Sequence, residues 1–528
     1  MFKLLISNCL LFISTISFTQ VASNVDLLGN WDDNSIRVLG NLSFNDVWGY
    51  TDENFNEYGI IGSTEYTHFI DIRNPENPVE VARIVGRSLS IWRDIKTYRH
   101  YAYSIADNGS GSLQIFDLSG LPNVVTKVYD SQAFFSNCHN IFIDEVHGRL
   151  YAVGSNKANI VVLDLKDNPA NPTLLKNIAL SEGYVHDIYV RDHIAYASHV
   201  YTSKLFVYDL SDVNAVKTLG NLSEYVDAGL NHSSWLSENG NVMVMADENK
   251  DLAMKVVDVS DLTDMNVIST FKSTLEEGVA TNSIPHNPFI IGDKYVVVSY
   301  YHDGVQIYNI EDPTRPAKAG YYDTYPTNTN YAGSFGSWGV FPFFPSGNII
   351  ASDITNGLFV VKPTFDLGYC RKTVYSRRTF ETGETVNTHA SESILLESGF
   401  HAKAGSEFKA SIQACATTVT QTAINTDKDL IQDLTIADLA NSESVEKELM
   451  VYPNPFTNEF KLIGTGIKEL LPTNIQLVNT IGQTIQPTIS NCGLNCWSIR
   501  TDNLNSGVYT ILMRQSGGEV MSQKVVKL

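Results

Sequence analysis

Through most of the chain, apolar and polar residues alternate in short runs, and each run breaks at a polar turn. Strict alternation over four to eight residues is the pattern of a half-buried β-strand rather than a helix. The runs recur. Strands ending in an acidic or amide residue appear in "FIDIRNPENPVEV" (69–81), "IFDLSGLPNVVTKV" (115–128), "VLDLKDNPANPTLL" (162–175), "VYDLSDVNAVKTLG" (207–220), "VVDVSDLTDMNVIS" (256–269) and "IYNIEDPTRPAKAG" (307–320). Their markers Asp71, Asp117, Asp164, Asp209, Asp258 and Asn309 are 46, 47, 45, 49 and 51 residues apart. A seventh copy, "LFVVKPTF" (358–365), keeps the strand and then breaks off. Two further alternating strands lie between markers, as in "HNIFID" and "RLYAVGS". Four strands per unit of about 40–50 residues is the sign of a propeller blade. The chain is therefore expected to be all-β, with a seven-bladed propeller over residues 25–365; a pair of β-sandwiches would not keep so steady a period.

The seventh copy lacks a fourth strand, which would leave a sheet edge open. The segment "VDLLGNWDD" (25–33) resembles the fourth strand of the sixth copy, "AKAGYYDTY" (317–325), so the N-terminal strand is expected to complete the last blade and close the ring. With its "FDLS" turns and strands such as "IVVLDL" and "KVVDVS", the region also resembles the bacterial LVIVD-repeat proteins of the choice-of-anchor B type. That resemblance implies surface display through a C-terminal anchor and no particular reaction.

The pattern changes after residue 365. Residues 366–416 contain "SESILLESGFHAKAGSEFKASIQAC" (391–415), read as short stacked strands and similar to coat-hanger-stack segments of surface proteins. A Thr-rich, then acidic stretch over 417–445 reads as a solvated linker. Residues 446–528 alternate again, with Gly482 and Gly507 at turns, and predict a small β-sandwich. Tyr452, Pro453, Asn454 and Pro455, the "GQ" turn, the "SGVY" strand and the terminal "KVVKL" resemble the type A sorting domain of type IX secretion. That resemblance implies the type IX export and sorting machinery as a partner. It also implies removal of the domain on export, and release or attachment at the cell surface.

The first residues agree with export: "MFKLLISNCLLFISTISFTQ" has Lys3, a short apolar run and a polar end, so 1–20 reads as a secretory signal peptide. No later stretch reaches about 18 consecutive apolar residues, and no transmembrane span is expected. A net charge of −21 argues against nucleic acid or an anionic membrane as a partner. In an oxidising compartment, Cys370 with Cys415 and Cys492 with Cys496 are expected to be disulfides, leaving Cys138 as a small buried hydrophobe.

Nucleotide-binding, zinc-protease and nucleophile-elbow motifs are missing. What remains is a column of side chains at the start of successive first strands: Trp48, Trp92, His139, His186, His232, His286 and Trp338. Turns between second and third strands share that face and bring Asp107, His199, Asp247, His302, Asp303 and Asp353. Three readings fit: hydrogen-bonding struts between blades, a divalent metal held by the four imidazoles, or an indole-lined rim that stacks a sugar or other flat ligand. The first and third make the protein a binding module for an extracellular protein, glycan or small molecule; the second admits a metal-dependent enzyme.

Overall fold

The computed structural model describes residues 21–412 and 448–527, apart from 274, 276–282, 328–330, 332–333, 370–372, 377–378, 384, 391–392, 397–399, 453–458, 466–474, 480–483, 486–487, 494–495, 502–503, 505–506 and 515–519. Seven antiparallel sheets form the propeller, six of four strands and one of five, with the last blade closed by the N-terminus. The first blade consists of Phe44–Thr51, Glu57–Ser63, Tyr66–Asp71 and Val79–Val85. First strands neighbour one another around the axis and are mostly buried, whereas fourth strands are mostly exposed or half-buried.

The repeat marker has a local cause. Asp71, Asp117, Asp164, Asp209, Asp258 and Asn309 each accept, through Oδ1, the backbone N–H two residues on, at 2.7–3.0 Å. This Asx turn ends the third strand and points the chain toward the fourth. Each space between adjacent blades then holds its own apolar cluster. Leu113, Ile141, Leu150 and Leu163 fill the one between the second and third blades, and Ile188, Val190, Ala195 and Tyr151 the next.

The ring closes as expected. Val25–Trp31 pairs antiparallel with Gly357–Pro363 and supplies the fourth strand of the last blade. One addition was not foreseen: Ala22–Ser23 pairs with Ala317–Tyr322 and gives the sixth blade a fifth strand. The N-terminus thus ties two blades together.

Beyond the propeller, but within the same compact unit, Thr373–Ser376 pairs with Ser393–Leu396, Thr379–Phe380 with His401–Ala402, and Thr385–Ala390 with Glu407–Ile412, all parallel. A second unit holds two four-stranded sheets. Its core is Phe460, Leu462, Ile475, Leu477, Ile499, Tyr509, Ile511 and Val525. Of the sorting-motif residues, Tyr452 ends the strand Glu448–Tyr452 and Gly507 opens Gly507–Arg514. Pro453, Asn454, Pro455 and Gly482 lie outside the described residues, as do 1–20, Cys370, Cys415 and the linker. Cys492 and Cys496 fall in the paired strands Thr488–Gly493 and Cys496–Arg500, whose backbone alone is described there. Cys138 is a buried free thiol.

Candidate functional site

Strand register decides which side chains meet at the axis. In the seven blades Val47, Ile95, Ile141, Ile188, Ser234, Pro288 and Val340 pair with equivalent positions of the second strands. Two residues earlier in each stand Asn45, Arg93, His139, His186, His232, His286 and Trp338. The four histidines and Trp338 therefore share one position. Trp48 and Trp92 do not.

In the first blade the position two residues before Val47 is Asn45, so Asn45 takes the position assigned to Trp48. Trp48 lies three residues deeper, packed on Phe341 and Phe289 with ring centroids 5.0 and 6.0 Å away. In the second blade Arg93 takes the position and is spent on the carbonyls of Ser63, Thr64 and Ser88. Trp92 stands one residue outside it, 6.3 Å from the His139 ring.

The histidines form a continuous arc. Ring centroids are 4.2 Å apart from His139 to His186, 4.2 Å from His186 to His232, and 4.3 Å from His232 to His286. Trp338 continues it, 5.2 Å from His286. Nδ1 of His186 lies 3.2 Å from the carbonyl oxygen of His232, and Nδ1 of His286 lies 2.6 Å from that of Trp338. Each Nδ1–H thus donates to the next blade and leaves Nε2 with a free lone pair, the tautomer a metal ligand needs. At the open end of the arc Nδ1 of His139 lies 2.7 Å from Asp107 Oδ2.

The acidic rim is mixed in register. Asp107 and Glu248 both stand three residues beyond the equivalent pair Ser104 and Met245, and both face the histidines. Asp247, Asp353 and His199 stand one residue earlier, and period-2 alternation turns them into the blades. Asp247 meets Lys255 at 2.6 Å and Tyr225 Oη at 2.9 Å. Asp353 accepts from Thr324 and Thr355, and His199 meets Tyr208 Oη at 3.2 Å. His302 is buried against Tyr331, whose hydroxyl donates to Asp303 at 2.8 Å. These five are internal struts rather than rim groups.

Glu248 is the residue that the sequence reading passed over. Its Oε2 lies 3.7 Å from His232 Nε2 and its Oε1 3.9 Å from His286 Nε2. Tyr301 Oη donates to Oε1 at 2.6 Å and fixes the carboxylate. The ligand atoms of His232, Glu248 and His286 all lie within 4.8 Å of one another. Two donors at metal bonds of about 2.1 Å span at most about 4.2 Å, so both carboxylate–imidazole distances fit a shared ion.

A cavity of about 70 Å³ opens beside the arc, roofed by His139, His186, His232 and His286 and floored by Trp48, Phe142, Tyr189, Trp235 and Phe289. That is space for about two waters. Burial drives the histidines toward their neutral form: His186 and His232 fall well below the usual histidine value, reinforced by neighbouring imidazoles, and His286 falls to about 3. Burial also raises the Glu248 carboxyl. On the far wall Lys96 sits 2.5 Å from Asp94 and 3.7 Å from Asp46. Burial opposes the Lys96 charge, but the Asp94 carboxylate beside it outweighs this and holds its pKa up. Burial lifts Asp187 to about 7.

Comparison with known proteins bears on the two units separately. No curated protein matches the chain. The structure described as "Crystal structure of RRP9 WD40 repeats" is similar over 64% of this chain and 97% of that chain, with a TM-score of 0.47 and 10% identity. No described helix is long and apolar enough to cross a membrane. Residues 450–527 match the family described as "Secretion system C-terminal sorting domain". The chain accordingly carries a type IX sorting domain behind a seven-bladed propeller, and its destination is the outer cell surface or the extracellular space.

Proposed function

We propose that this protein is an extracellular binding module that takes up a divalent transition-metal ion at the propeller mouth. The observation that carries the reading is Glu248 placed between His232 and His286, with His186 and His139 continuing the donor arc. Two imidazoles and a carboxylate suit Zn²⁺, Fe²⁺ or Mn²⁺, and a catalytic metal would additionally need an open ligand position. Struts between blades need no carboxylate facing two neutral rings. LVIVD-type surface display, a signal peptide over 1–20 and removal of the sorting domain on export complete the reading.

The test is metal analysis of the purified protein and titration with Zn²⁺ or Fe²⁺. Wild type is expected to bind about one equivalent per propeller mouth and to gain thermal stability by mass action. The His232→Ala/His286→Ala variant should lose that uptake and stay folded. Loss of stability on these substitutions, with no uptake in wild type, would reduce the histidines to struts. A second reading, a glycan or flat ligand on the aromatic rim, rests on Tyr201, 77% exposed with its ring 5.1 Å from Tyr184. Loss of glycan binding in Tyr201→Ala, with metal uptake intact, would favour it.

A further inference from the structure

The first strands of the third and fourth blades run from the histidine arc to the opposite face, about five residues or roughly 17 Å away. There, Asp144 ends the strand Asn140–Asp144, His147 lies in the hairpin that follows, and His193 lies in the next blade's hairpin between Asp187–Arg191 and Ile194–His199. We propose that Asp144, His147 and His193 form a second, independent site for a divalent transition-metal ion, stapling the third blade to the fourth.

Several features point that way. The ligand atoms of the three residues lie within 4.8 Å of one another. The two imidazoles, from different blades, sit with centroids 3.8 Å apart. His147 Nδ1 lies 2.8 Å from Asp144 Oδ2, and the buried carboxylate also accepts the His147 backbone N–H at 3.2 Å, so ring and carboxylate are held in place before any ion arrives. His193 is carried on left-handed backbone, φ +67°, directly after Asp192 at φ +51°. This tight turn aims its ring across the blade boundary. Burial, His147 and Arg149 all push the His193 pKa down, which keeps that imidazole neutral.

Arg149 supplies the discriminating detail. Its Nη1 lies 3.3 Å from His193 Nδ1 and 3.3 Å from the Leu210 carbonyl oxygen. The guanidinium therefore donates to an imidazole lone pair, and a bound cation would compete with it for the same ring. Removing the charge should strengthen metal binding if the site is real, and should only weaken the blade contact if the cluster is packing.

The experiment is a Zn²⁺ titration of the full chain by calorimetry, with Co²⁺ absorption as a ligand-field readout. His193→Asn is the variant of choice, because Asn tolerates the left-handed conformation that the turn requires. It should lose one equivalent of Zn²⁺ and the associated Co²⁺ bands, while uptake that depends on His232 and His286 remains. Arg149→Gln should tighten the second site about three- to tenfold. If wild type takes one equivalent that His193→Asn abolishes and His232→Ala/His286→Ala does not, this site stands and the mouth reading fails. Unchanged stoichiometry and spectrum in His193→Asn would overturn the proposal, as would an Arg149→Gln protein that melts lower and binds no more tightly.

Discussion

Asp46 shows how much one buried carboxyl can weigh in this fold. Burial raises its pKa well above the carboxylate range, and although Lys96 opposes this, Asp94 adds to it through charge and a hydrogen bond. The folded chain thus holds a proton that the unfolded chain releases above its ordinary value of about 3.9. The native state binds more protons across that window, so this group's contribution to stability falls as pH rises from about 4 toward the folded pKa. Asp46→Asn should therefore stabilise the propeller at pH 8, because the variant no longer forgoes a proton that the folded carboxyl would hold. Toward pH 4 the gain should vanish. Thermal melts at the two pH values check it; an equal shift at both would mean that the site responds to shape and not to charge. The same scale explains what the sequence concealed. His139, His186, His232 and His286 were legible because each precedes a clean alternating run. Glu248 was not, because it differs from Asp247 by a single position. In a strand, one position separates the channel from the blade interior. Asn45 was passed over for Trp48, three positions along the same strand, in the same way.

Among the elements, the seam between the two ends of the ring is the most demanding. Gly357 opens the third strand of the last blade at φ +79°, and a Cβ there would lie 2.1 Å from the carbonyl oxygen of Trp31. Gly29, at the bulge of the closing strand, would place a Cβ 2.3 Å from the Pro75 carbonyl oxygen. Neither position has room for a side chain, so the N-terminal strand seats directly on backbone. Gly357→Ala should cost about 1–2 kcal/mol for the left-handed conformation alone, and more for the clash. Limited proteolysis should then cut first near residues 22–31, releasing the strand before the blades open. If the variant melts as wild type and resists cleavage there, the seam is not what holds the ring shut. Closure by Val25–Trp31 could be read from the sequence because the missing fourth strand and its substitute share a pattern. The added pair Ala22–Ser23 could not, since two residues carry no periodicity. Nor was the parallel pairing of 373–412 legible, because alternation marks a strand but not its partner's direction.

At the scale of the whole molecule, two units with separate cores answer to separate demands. The propeller's stability resides in the clusters between its blades, none of which, among the described residues, draws on residues beyond Tyr369. Among the described residues, the tail's core is made wholly within 460–525. Among the described residues, the sorting domain can therefore be removed without taking any side chain out of these clusters, which is what the proposed removal of the domain on export requires. Deleting residues 450–527 should leave a propeller that folds and binds metal as wild type but accumulates in the periplasm instead of at the surface. Cell fractionation with a metal titration of the retained protein separates the two effects. In the wild-type surface form, mass spectrometry should find the propeller without the sorting residues. A deleted form that reaches the surface or medium at normal levels would break the link between this tail and export. A retained form that is also unfolded would place part of the propeller's stability in the tail, against the division of the two cores.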